Sequence, residues 1–78
     1  MESELLKRIT TDSTILCGKP VIRRLRVSVD QVLNALAGGV TAEELLTDIP
    51  VLERADIQAC LLYAAQVVEE HTHFVMAA

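Results

Sequence analysis

Between Ala59 and Val68 the chain reads Ala-Cys-Leu-Leu-Tyr-Ala-Ala-Gln-Val-Val, and only Tyr63 and Gln66 bring a polar group to it. Ile57, Leu61, Ala64 and Val68 recur at helical spacing, and Cys60, Leu62, Ala65 and Val67 widen that stripe around the axis. The spacing predicts a helix from about Arg54 to His71. A helix apolar nearly all round has to be covered nearly all round. In a chain of 78 residues the remaining segments can cover one side only, and a second copy is the natural cover for the other. We therefore expect a homodimer formed mainly through Ile57, Cys60, Leu61, Leu62, Ala64, Val67 and Val68. Composition agrees: 51% of residues are hydrophobic but only 3% aromatic, more aliphatic surface than a lone small domain hides easily.

Two shorter helices precede it. Ser28 and Gln31 have capping-box spacing, Asp30 suits the positive first turn, and Val29, Val32, Leu33, Leu36 and Ala37 share one face. Gly38-Gly39 stops this helix. Thr41 and Glu44 form a second capping box ahead of Ala42, Leu45, Leu46 and Ile49, and Pro50 ends that segment.

Residues 9–27 read as short extended pieces: Ile9-Thr10 and Ile15-Leu16-Cys17 around an Asp12-Ser13 turn, then Val21-Ile22 and Arg26-Val27 on either side of a basic bend. The fold class expected is mainly α, with a short N-terminal β element followed by a three-helix domain. One domain spans 1–78, divided into the β element and bend (9–27), the helices (28–71) and a tail (72–78).

The net charge of −4 is uneven. Up to residue 27 the cations Lys7, Arg8, Lys19, Arg23, Arg24 and Arg26 outnumber Glu2, Glu4 and Asp12; beyond it Arg54 stands against Asp30, Glu43, Glu44, Asp48, Glu53, Asp56, Glu69 and Glu70. A polyanion meets a favourable field only at the N-terminal third. Cys17 and Cys60 are too few for a disulfide framework or a zinc site, sit among apolar neighbours, and are expected to be buried thiols of a cytoplasmic protein. No stretch has the length of a signal peptide's apolar core or of a membrane span. His71-Thr72-His73 lacks a third metal ligand, Gly38-Gly39 is a helix stop rather than a phosphate loop, and no nucleophile stands beside a base. No enzyme activity, cofactor, metal or small-molecule substrate is expected.

Gly18-Lys19-Pro20-Val21-Ile22, Arg26-Val27-Ser28-Val29, Gly39-Val40-Thr41-Ala42-Glu43-Glu44-Leu45, Ile49-Pro50 and Asp56-Ile57-Gln58-Ala59 with Tyr63-Ala64-Ala65 follow one another in an order that resembles a bacterial family, domain of unknown function 433. The resemblance covers residues 9–65. It implies a homeodomain-like helix-turn-helix fold and an antitoxin-like role beside a PIN-like nuclease toxin. Arg24-Leu25 replaces the family's Gly-Thr, so the bend should differ in shape; Ile49 replaces an aromatic residue; Glu53 replaces a Ser or Thr cap and leaves the start of the last helix open by a turn.

Within that frame Lys19, Arg23, Arg24 and Arg26 are candidate phosphate contacts, and Arg54 and Gln58 candidate base-reading groups at the start of the last helix. The competing reading is a solvated bend whose arginines pair with the chain's own acids, with Arg26 pairing to Asp30 or Asp56. Glu53 and Asp56 would repel phosphates beside Arg54. Two function classes follow: an antitoxin-like module that engages a nuclease toxin and operator DNA as a dimer, or a pure protein-interaction or structural dimer module.

Overall fold

The computed structural model describes residues 2–70. In chain order they form helix α1 (Glu2–Leu6), strand β1 (Ile9–Thr10), a one-turn 3-10 segment (Leu16–Gly18), strand β2 (Val21–Ile22), and helices α2 (Val29–Ala37), α3 (Ala42–Asp48) and α4 (Arg54–Glu70). This is the mainly α arrangement expected, with a small antiparallel β element ahead of three helices. β1 pairs with β2 in the register Ile9 to Ile22 and Thr10 to Val21.

The caps fall where the side chains place them. The Ser28 hydroxyl accepts from the Gln31 amide and starts α2 at Val29. At α3 the capping box is complete: Thr41 Oγ1 accepts from the Glu44 amide, and the Glu44 carboxylate accepts from the Thr41 amide. Gly39 takes φ +100° just beyond α2, a conformation that a β-carbon disfavours.

The core lies where α2, α3 and α4 meet the β element. Ile22, Val29, Val32, Leu45, Leu52, Ile57 and Cys60 form it, flanked by half-buried Ile9, Leu33, Leu36 and Tyr63. Two residues expected at a dimer interface, Ile57 and Cys60, are thus in the chain's own core. The first half of α4 meets the body of the domain and needs no partner there.

Four expectations for the N-terminal third change. A helix, α1, precedes β1 and packs on α4. Five residues are too few to hold a helix alone, and no periodicity signals one that short. Ile15-Leu16-Cys17 is not extended: Leu16 and Cys17 have φ of +49° and +58°, and Gly18 follows at +83°. This left-handed turn leaves Cys17 exposed rather than buried. Arg26-Val27 is not a strand; the chain there bends, and only a single bridge between Val21 and Ser28 follows.

The basic bend is a tight turn in which Arg23 and Arg24 both have positive φ, +47° and +62°, and the Leu25 amide donates to the Ile22 carbonyl at 2.7 Å. Two successive left-handed residues make the turn that suits a twisted two-stranded ribbon, normally filled by Asn-Gly. Where the family pattern has glycine, this chain keeps the positive φ and bears the strain on Arg24. Arg24→Gly should therefore raise stability by about 0.5–1 kcal/mol, since the strain relieved exceeds the lost exposed ion pair. Thermal unfolding followed by circular dichroism should rise by several degrees. A fall would mean that the Arg24 side chain matters more than its backbone.

Candidate functional site

The bend does not offer its arginines freely. Arg23 reaches back to the first turn of α4, where Nε donates to Asp56 Oδ1 at 3.0 Å and one terminal nitrogen donates to Oδ2 at 2.8 Å and to the Val51 carbonyl at 2.8 Å. Arg8, between α1 and β1, donates to Asp56 Oδ1 at 2.9 Å and to Glu53 Oε1 at 2.7 Å. The Glu53 amide donates to Asp56 Oδ2 at 2.8 Å. Asp56 thus occupies the third position of α4 and closes the helix start on the residue before it, which explains how α4 begins at Arg54 without a Ser or Thr cap.

The Asp56 carboxylate is fully buried and has its partners. Burial pushes this carboxyl up, but the hydrogen bonds from Arg23, the Glu53 amide and Arg8 outweigh it and hold it below the ordinary range. Arg23 and Arg8 are in turn held more firmly in the charged form by Asp56 and Glu53.

The remaining candidates scatter around this clamp. Lys19 pairs with Asp30 at 3.3 Å, both well exposed. Arg24 meets Asp12 at 2.7 Å, and Asp12 is held in its charged form chiefly by hydrogen bonds from Thr14. Arg54 meets Glu43 of α3 at 3.2 Å. Gln58 is exposed beside a shallow recess with Glu4, Leu5 and Arg8, so α1 lies against the start of α4. Arg26 is exposed and has no ion-pair partner among the described residues. It does not pair with Asp30 or Asp56, because Lys19 and Arg23 hold those positions. The structural arginines are Arg23 and Arg8. Sequence reasoning missed Arg8, which lies outside the basic cluster and meets Asp56 across 48 positions of chain.

Ile49 accepts no aromatic role, but it is half-buried and packs on the core. His71 and His73 fall outside the described residues, among which no three His, Cys, Asp or Glu side chains gather around a metal position. No described helix is long and apolar enough to cross a membrane.

One concave feature is apolar. Pro20, Val29, Leu33, Tyr63, Ala64, Val67 and Val68 line a groove of about 360 Å³ between α2 and the second half of α4, with Lys19 and Asp30 at its rim. The apolar run of α4 continues past the core here: Val67 is 40% exposed and Val68 66%. Apart from the groove, Glu43, Glu44 and Asp48 form an acidic face on α3.

A family model described as a protein of unknown function (DUF433) matches residues 9–64. The chain belongs to that family. No curated protein and no solved structure matches it. The DUF433 match runs from β1 through the first two-thirds of α4, so it holds Arg23 and Asp56 of the clamp, while Arg8 joins from the residue just ahead of it. It also takes in Tyr63 and Ala64 of the groove and leaves Val67 and Val68 beyond its end.

The two cysteines of this DUF433 chain differ in reactivity. Burial, with the nearby Asp56 charge, pushes the Cys60 thiol up to about 11, while Cys17 is exposed. With a chromogenic disulfide at neutral pH the native protein should titrate one thiol quickly and the second only in denaturant. Two fast thiols in the native state would place Cys60 outside the core.

Proposed function

We propose that this chain is an antitoxin-like protein-binding module whose partner is a PIN-like nuclease. The observation that carries the reading is the open apolar groove between α2 and α4, with Lys19 and Asp30 at its rim. An exposed apolar recess suits a partner that buries apolar side chains there, and the acidic face that α3 carries elsewhere on the domain suits a cationic one, as a nuclease that handles RNA phosphates is. The family resemblance suggests the class of partner, and the groove is the surface that supports the reading.

The operator-DNA part of the reading has less support. Arg23 is committed to Asp56, Arg24 to Asp12, Lys19 to Asp30 and Arg54 to Glu43, so carboxylates already offset most of the candidate phosphate contacts. That observation favours the second reading, an interaction module without a nucleic-acid role, over DNA binding by the same surface. Either way no catalytic part is assigned to any residue.

The test is a tagged full-length chain recovered from its native host with nuclease treatment, followed by mass spectrometry, alongside Val67→Asp. A stoichiometric PIN-like nuclease retained by the parent and lost with Val67→Asp supports the reading. Recovery of the chain without such a protein, or a nuclease bound equally by the variant, overturns it.

A further inference from the structure

The outer face of α4 carries a second pattern, which shares Val68 with the groove. Arg54, Gln58, Leu61, Ala65 and Val68 are all exposed, and they stand at i, i+4, i+7, i+11 and i+14. This alternation of four and three is the spacing of a coiled-coil seam. Leu61 is 50% exposed and Val68 66%, although the same helix buries Ile57 and Cys60 one step around. From Leu61 to Val68 there is no ionisable group except the Tyr63 hydroxyl, which lies on the groove side.

Charge at the two ends of the seam decides what fits it. Glu69 and Glu70 close the helix at the negative end of its dipole, with no basic residue in the last turn to offset them. Arg54 begins the seam, and its ion pair with Glu43, at 3.2 Å, is exposed on both sides. A parallel second helix would set four carboxylates together at one end. An antiparallel one, its two-fold axis near the level of Tyr63, sets Leu61 against the second copy's Ala65 and Gln58 against its Val68. It also brings each Glu69 within about one turn of the other copy's Arg54, next to the positive end of that helix.

We infer that a second copy of this chain covers the outer face of α4, in an antiparallel two-fold pair held by Leu61, Ala65 and Val68 and registered by Arg54 and Glu69. This goes beyond the toxin reading and does not depend on it: Val68 borders both surfaces, but Leu61, Ala65 and Arg54 do not line the groove, and Val67 lies off the seam. The small Ala65 lets the two helices approach closely. The pairing is self-complementary, as a two-fold contact requires.

Sedimentation equilibrium of the full chain over a wide concentration range tests it, with Leu61→Glu, Arg54→Glu, Glu69→Arg and the double reversal. The parent should be a concentration-dependent dimer, and Leu61→Glu a monomer with an unchanged helical spectrum. Each charge reversal meets its like charge twice across the two-fold and should weaken the dimer roughly tenfold, while the double reversal restores it. Both reversals suit the helix dipole within the chain, so loss of fold would not mimic the result. A parent monomeric at every concentration, a dimer indifferent to Leu61→Glu, or a double reversal no better than the singles overturns the proposal. A dimer lost only with Val67→Asp would move the contact to the groove and overturn it equally.

Discussion

Replacing Asp56 with alanine is expected to cost about 3 kcal/mol or more, because it removes the one buried acceptor on which two arginines and a helix cap converge. A domain of this size has roughly 5–15 kcal/mol in all, so the variant should melt far below the parent. Asp56→Asn keeps the volume but puts two donors among donors, and it should cost nearly as much. Asp30→Ala, which removes an exposed ion pair, should change stability far less. The same carboxylate gives the pH dependence its sign. Asp56 titrates lower in the folded chain than when unfolded, so its contribution is complete above the ordinary carboxylate range and is lost as pH falls through that range and below. Chemical denaturation at pH 7 and at about pH 2.5 measures this: the parent should lose stability on acidification, and Asp56→Ala should lose less. Equal losses would mean that other carboxylates carry the acid sensitivity.

The second large effect separates the two sides of α4. Ile57→Ala should cost about 2–5 kcal/mol, since Ile57 is 3% exposed and touches the core formed with Ile22, Val32 and Cys60. Leu61→Ala, one turn on, should cost the isolated chain about 0.5 kcal/mol or less, because half of Leu61 is already in water. Unfolding midpoints in urea, taken at a concentration where the chain is monomeric, report the contrast. Similar costs at both positions would mean that Leu61 is covered within its own chain.

That contrast marks how far the sequence alone could be read. Periodicity and capping residues located α2, α3 and α4 to within a residue or two, because Ser28, Thr41, Gly39 and Pro50 act on their nearest neighbours. They could not say which part of α4's apolar surface its own chain covers. Ile57 and Leu61 look alike in sequence, and only the packing of α2 and the β element distinguishes them. The arginines of the bend likewise could not be sorted by count or position. Arg23 turns inward because a left-handed turn aims it at Asp56, while Arg26, three residues on, stays in water. Cys17 looked buried from its apolar neighbours, and the left-handed backbone at Leu16 and Cys17 turned it out. Short α1 had no periodic signal to read, and Arg8 followed it out of view.

The Asp56 clamp also says something about the order in which the molecule assembles. Its two arginines lie 33 and 48 positions from the carboxylate, whereas each helix cap closes over three. Long loops are the slower and entropically costlier ones to close, so α2 and α3 can form and dock while the clamp is still open. On that order the clamp is expected to fasten after the folding barrier. Loosening it should leave the refolding rate nearly unchanged and appear almost wholly as faster unfolding, which makes these two arginines a determinant of the native state's lifetime.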